Sequence, residues 1–287
     1  MQHRTIRANG ATFHVATTGA GHPLLLLHGW PEYSLTWQPV MERLADRYEL
    51  FAPDLRGFGD TDKPDHPFGP TDHAADMLSL ATALGIDRAG VVAHDVGGPA
   101  AMAMARAQPD RLTGLFLFDF VYPGIGARLG EPARLNEIWY QSFNQMDLAP
   151  LLVGASRDTC RAYIGHFLRH WAHHRHAFDD VLEQFVDTYL KPGNLEGGFA
   201  HYKGSHEARI AMMEGRVPAQ APITVPSCVR WAEHDALMPY SWTDKLGEYF
   251  TDLDLAMFED VGHFPHREAP DRAAAAIAAF FDRQRWP

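Results

Sequence analysis

The stretch Ala89-Gly90-Val91-Val92-Ala93-His94-Asp95-Val96-Gly97-Gly98 constrains this chain more than any other. A short apolar run leads into an acidic residue and then into small ones. It reads as a strand, a sharp turn with Asp95 at its tip, and a helix over residues 99–107 that Pro109 ends. The small residues let the backbone fold tightly without clashing. A short apolar run between turn signals is a strand buried on both faces, and such strands belong to parallel sheets covered by helices.

The same pattern recurs. Residues 24–27, four leucines, end in His28-Gly29-Trp30-Pro31, and helical spacing follows over 37–45. Residues 50–53 form the next strand, ending in Asp54-Leu55-Arg56-Gly57-Phe58-Gly59, before a helix over 74–84. Residues 112–118 form another strand, ending at Asp119. Strand character returns over 225–231 and 253–258, and 271–283 reads as a closing helix. Residues 4–14 alternate as one edge strand running into Val15-Ala16. This order is α/β. From 123 to 218 the pattern is helical and rich in aromatics and histidine. The expectation is therefore an α/β core over 1–122 and 219–287, interrupted by a helical cap over 123–218.

The chain's 287 residues suffice for such a core plus cap. A formal net charge of −11 argues against nucleic acid as a partner and against an anionic membrane surface. Two cysteines, Cys160 and Cys228, make no disulfide framework. The N-terminus has no apolar signal region, and no apolar run is long enough to span a bilayer. These features lead us to expect a cytoplasmic protein.

Asp95, His263 and an acid form the candidate catalytic group, in chain order nucleophile, acid, histidine, each just past a strand. Open α/β sheets place their sites at those strand ends, and three such groups make a triad. The acid is Asp235, after the seventh strand, or Asp119, after the sixth; Asp235 is the first choice and Asp119 the alternative. The backbone N–H groups of Trp30 and Val96 are candidates for holding an oxyanion, with Pro31 fixing the first of them, in a trans or a cis peptide.

These elements together resemble the α/β-hydrolase superfamily, in its epoxide hydrolase and fluoroacetate dehalogenase-like branch. The resemblance covers nearly the whole chain. It is carried by His28-Gly29-Trp30-Pro31-Glu32, Asp54-Leu55-Arg56-Gly57-Phe58-Gly59, His94-Asp95-Val96-Gly97-Gly98, and Val261-Gly262-His263-Phe264 with Glu268 further on. Many hydrolases of this build have serine where Asp95 stands. A carboxylate there suits attack on an sp3 carbon, through an alkyl-ester intermediate. The resemblance also implies two cap tyrosines that hold and protonate an epoxide oxygen. Tyr140, five residues before Gln145, and Tyr202, in Phe199-Ala200-His201-Tyr202-Lys203, match those places.

Departures from relatives narrow the chemistry. Haloalkane dehalogenases usually carry a halide-holding tryptophan where Val96 stands. Fluoroacetate dehalogenases place carboxylate-binding arginines where Val96 and Pro99 stand, and a His-Trp pair where this chain has Trp139-Tyr140. The expected reaction is therefore opening of a small apolar or aromatic epoxide to a vicinal diol with water. Hydrolytic dehalogenation is the alternative, and an esterase or lactonase ranks below it. This mechanism calls for no cofactor and no metal, and a homodimer is compatible with it. His166, His170 and His174, four apart, fall on one helix face and read as a solvated surface. Trp139, Phe143, Phe167 and Trp171 read either as pocket lining or as cap core.

Overall fold

Asn9 and Gly10 both take positive φ, 44° and 76°. That pair makes a tight hairpin turn, the strongest short hairpin signal a sequence carries. It folds Gln2–Ala8 (β1) back onto Ala11–Gly19 (β2), with Ala8 opposite Ala11. The single alternating edge strand expected over 4–14 is thus two antiparallel strands, because the alternation runs on undisturbed across the turn. The computed structural model describes residues 1–286; Pro287, the end of the expected second core segment, lies outside the described residues.

The sheet continues through His22–Leu27 (β3), Tyr48–Pro53 (β4), Ala89–His94 (β5), Leu112–Phe118 (β6), Ser227–Ala232 (β7) and Leu253–Phe258 (β8). Its order is β1-β2-β4-β3-β5-β6-β7-β8. β2 runs antiparallel to β1 and β4, and every pairing from β4 to β8 is parallel. Side chains alternate between two cores, as the strand period of two requires. Leu25, Leu27, Val91 and Leu117 point to one face, covered by Pro70–Ala83 and Gly97–Ala107. Leu24, Leu26, Val92 and Phe116 point to the other, covered by Gln38–Leu44 and Pro270–Phe281. All four leucines of β3 are fully buried.

In chain order the helices are α1 (Gln38–Leu44), α2 (Pro70–Ala83), α3 (Gly97–Ala107), α4 (Leu135–Phe143), α5 (Leu148–Val153), α6 (Arg157–His170), α7 (Leu182–Tyr189), α8 (Asn194–Gly204), α9 (His206–Met213), α10 (Pro265–Glu268) and α11 (Pro270–Phe281). α4 to α9 all lie between β6 and β7, so the helical cap is a single insertion into the α/β core. α2 starts earlier than expected: Pro70 opens it without needing an N–H partner, and the Asp72 carboxylate accepts from the Gly69 N–H at 2.8 Å. Among the described residues no helix is long and apolar enough to cross a membrane.

Candidate active site

The turn between β5 and α3 holds Asp95 in the left-handed region, φ 45°. That conformation costs a non-glycine residue on the order of 1 kcal/mol, and the neighbours hold it there. The Asp95 N–H donates to the Asp119 carbonyl at 3.0 Å, and the Gly98 N–H donates to the Asp95 carbonyl at 2.9 Å. Two glycines make the turn possible by leaving out a Cβ. One on Gly98 would lie 2.3 Å from Phe120 Cβ, and one on Gly29 2.5 Å from Asp95 Cβ.

Asp95 presents its carboxylate between two loops. Oδ1 accepts the Trp30 N–H at 2.9 Å. Oδ2 lies 3.9 Å from His263 Nε2, too far for a hydrogen bond but close enough for strong Coulomb attraction. The Trp30–Pro31 peptide is cis. His28 braces this loop: its Nε2 accepts the Leu55 N–H, so the proton is on Nδ1, which donates to the Gly29 carbonyl. No hydrogen bond joins the Val96 amide to Asp95.

His263 follows β8 and is fully buried. Its Nδ1 meets Asp235 Oδ2 at 2.8 Å, just past β7, and its Nε2 has no partner within the chain. Asp235 Oδ1 is held in turn by the N–H groups of Leu237 and Met238, at 2.7 and 2.9 Å. Burial pulls the His263 pKa down, but the charge and hydrogen bond of Asp235, followed by the charges of Asp95 and Glu32, outweigh it and push it up to about 9. The loop is fixed from outside. The His263 N–H donates to the Trp171 carbonyl at 2.9 Å, while Glu268 accepts the N–H groups of Gly262, Phe264 and His174.

Asp119, the alternative acid, makes no hydrogen bond to His263. Its Oδ1 accepts the Ala232 N–H at 2.8 Å. Burial, followed by the charge of Asp235, raises its pKa well above the carboxylate range. Of the two carboxyl groups only Asp235 contacts the imidazole.

The cap covers Asp95 with aromatic rings. Tyr140, on α4, stacks on Trp30 at 5.1 Å between centroids and meets Tyr202, on α8, edge to face at 5.5 Å. Phe167 and Trp171 complete the box around Trp30, at 4.8 and 5.8 Å. Both tyrosines are almost wholly buried. Burial, followed by the Asp95 charge, raises the Tyr140 phenol; burial, followed by Tyr140 and Asp95, raises that of Tyr202. Both are thus O–H donors at neutral pH, within electrostatic reach of Asp95. Of the aromatics weighed from sequence, Phe167 and Trp171 wall this box, while Trp139 is 43% exposed at its outer end. His166 and His170 are exposed and stacked on each other, and His170 pairs with Glu137.

One group beneath Asp95 has no role that its place in the sequence announces. Glu32 is fully buried and accepts from the Gly29 N–H, Thr36 Oγ1, His94 Nδ1 and His266 Nε2. Burial acts to raise its pKa, but the imidazoles of His266 and His94 outweigh this and hold it well below the usual carboxylate range. The other nitrogen of His94 meets the His263 carbonyl at 2.7 Å, so both its ring nitrogens face acceptors. The ring thereby ties the turn before Asp95 to the loop of His263. Glu32, His94 and His266 form, among the described residues, the one group with metal-ligand spacing. Hydrogen bonds already occupy both Glu32 oxygens, His94 Nδ1 and His266 Nε2, while His266 Nδ1 is buried without a partner in the chain. Glu32 stands within the motif quoted from sequence, but the meeting of positions 32, 94 and 266 is a tertiary fact.

Comparison with known proteins fits this geometry. Residues 22–270 match the family model described as alpha/beta hydrolase fold. The soluble epoxide hydrolase of Corynebacterium sp. (strain C12) is 31% identical over 293 residues, covering 98% of this chain and 97% of that protein. Epoxide hydrolase 4 of Mus musculus is 26% identical over 290 residues, covering 97% of this chain and 79% of that protein. The solved structure of epoxide hydrolase CorEH without ligand superposes with a TM-score of 0.86 at 27% identity, over 98% of each chain. With its doubly wound sheet, inserted cap and strand-end residues, the chain belongs to the α/β-hydrolase family, in its epoxide-hydrolase-like branch, and is a hydrolase.

Proposed function

We propose that this hydrolase opens a small apolar or aromatic epoxide to a vicinal diol in two steps. Asp95 Oδ2 attacks an epoxide carbon while Tyr140 and Tyr202 donate to the epoxide oxygen; the C–O bond breaks and a tyrosine proton neutralises the alkoxide. The product is a hydroxyalkyl ester on Asp95. His263, oriented by Asp235, then takes a proton from water, and the water attacks the Asp95 carbonyl carbon. The Trp30 and Val96 N–H groups hold the resulting oxyanion until the diol leaves.

The observation that carries this reading is the carboxylate at the turn. One of its oxygens is fixed on the Trp30 N–H, and the other is open toward His263 under a buried tyrosine pair. The aromatic box supports an apolar or aromatic substrate.

Hydrolytic dehalogenation is a second reading, and one feature favours it. The indole N–H groups of Trp30 and Trp171 are buried without a partner in the chain, and such donors suit a departing halide. A panel of aryl and alkyl epoxides, run beside chloro- and fluoro-acids, separates the two. Diol formation without halide release supports the epoxide reading; halide release with no epoxide turnover replaces it by the second.

A further inference from the structure

We infer that the outer face of α4 and α5 is the contact surface for a second copy of this chain. Among the described residues, eight large apolar side chains are exposed, and six of them fall between positions 135 and 152: Leu135, Trp139, Met146, Leu148, Leu151 and Leu152. Leu135 and Trp139 are four apart on α4. Leu148, Leu151 and Leu152 take the corresponding spacing on α5, so each helix turns an apolar stripe outward. The inward faces are thin: α4 buries only Tyr140 and Gln141 of its nine residues, and α5 only Ala149 and Val153. Two consecutive helices of this cap thus have more apolar surface than the chain itself covers.

The amount of surface suits a protein partner. Six such side chains leave several hundred Å² exposed, at or beyond the roughly 300–600 Å² of the largest patch on a typical monomer. With a polar rim that approaches the roughly 800 Å² per partner of a standard stable interface. The rim carries both signs: Lys203 pairs with Asp147 at 2.8 Å, and Arg157 lies beside Glu183 and Asp187. A two-fold contact sets one patch against itself, so it requires a rim of mixed charge. An anionic bilayer requires a basic rim, and the chain's net charge of −11 opposes it. Across a two-fold axis the pairs of α4 and α5 form a four-helix contact, and α4 is the helix that carries Tyr140. This inference rests on the surface alone and is independent of the reaction proposed above.

Sedimentation velocity over a concentration series tests it, on the wild type and on L151E/L152E. The expected result is a wild-type dimer and a variant whose dimer dissociation constant is higher by at least about tenfold. Far-UV circular dichroism should be unchanged, and amide exchange over residues 135–153 should be faster in the variant. Leu151 is 70% exposed, so the single change L151E serves if the double variant misfolds. A wild type that stays monomeric at about 100 µM overturns the inference, since standard interfaces associate well below that. So does a variant dimer as tight as the wild type. A monomeric wild type that floats with neutral phosphatidylcholine vesicles reassigns the face to lipid.

Discussion

His263→Gln separates the two halves of the proposed reaction, and the structure sets the size of the effect. Glutamine fills a similar space, but Asp235 Oδ2 loses a charge-assisted partner while Oδ1 keeps the Leu237 and Met238 N–H groups. One such bond is worth about 1.5–3 kcal/mol, so the variant should melt several degrees lower but still fold. Asp95 keeps its Trp30 N–H, and Tyr140 and Tyr202 are untouched. Ester formation should therefore survive. Removing the base should slow ester hydrolysis by about 10²–10⁴-fold, so the ester accumulates. Intact-mass spectrometry after brief exposure to an aryl epoxide should show one adduct per chain, and peptide mapping should place it on Asp95. The adduct mass discriminates further, because epoxide opening adds the whole substrate whereas displacement of halide adds the substrate less a hydrogen halide. Turnover in His263→Gln at the wild-type rate, or diol formation surviving in Asp95→Asn with no adduct in either variant, refutes the mechanism.

Tyr140→Phe and Tyr202→Phe should each lower kcat/KM for epoxides by about 10- to 1000-fold, and far less for an activated ester, whose leaving group needs no such donor; equal losses on both substrates exclude the assigned role. Gly29→Ala would set a Cβ 2.5 Å from Asp95 Cβ. It should cost about 1–3 kcal/mol in melting experiments and abolish most turnover by displacing the Trp30 N–H, whereas an active variant shows that this donor is dispensable. Stability should also depend on pH through three buried histidines. His263, raised to about 9, contributes fully below its unfolded value of 6.5, and that contribution is lost as pH rises through 9. His201 and His266, lowered to about 4 chiefly by burial, contribute fully above 6.5 and lose that contribution as pH falls through 4. Thermal melts should therefore peak near pH 6.5, and the His263→Gln variant should lose the alkaline limb; an unchanged alkaline limb rejects the assignment.

The buried parallel strands were readable because their apolar runs are continuous: residues 24–27 and 112–118 are enclosed on both faces and need no partner to declare themselves. β1 and β2 look like one strand in sequence because period-two alternation carries no mark of direction, and the reversal rests on two residues, Asn9 and Gly10. The place of Asp95 was legible since its turn demands small neighbours at fixed offsets. The acid is ambiguous in sequence since Asp119 and Asp235 both follow strands, and only the folded contacts separate the one held by the Ala232 N–H from the one on His263. The aromatic box was half legible. Tyr140 and Tyr202 were singled out by resemblance, but the role of Phe167 and Trp171 depends on how α6 and the residues after it pack on Trp30. Glu32 and His94 stand in motifs that carry the resemblance, but nothing local announces that they meet each other and His266.

A histidine whose pKa is near 9 holds its proton at neutral pH, and so looks like a poor base. In the proposed reaction that is an advantage of timing. The resting site pairs the His263 cation with two carboxylates, Asp235 at 2.8 Å and Asp95 at 3.9 Å. The positive ring lies beside the carboxylate that has to act as nucleophile. Attack on the epoxide turns Asp95 into a neutral ester, and one of the charges that raised the His263 pKa disappears. Burial then weighs more heavily on the ring and lowers its hold on the proton. Meanwhile the tyrosine that protonated the alkoxide is left as a buried phenolate, the strongest base in the box, since burial raises both phenols. Closing the cycle requires the proton on His263 to return to that phenolate, which leaves His263 neutral as the ester comes to need a base. The raised pKa and the raised phenols are thus complementary. The charge lost on Asp95 couples them, so the base is released after the nucleophile has acted and not before.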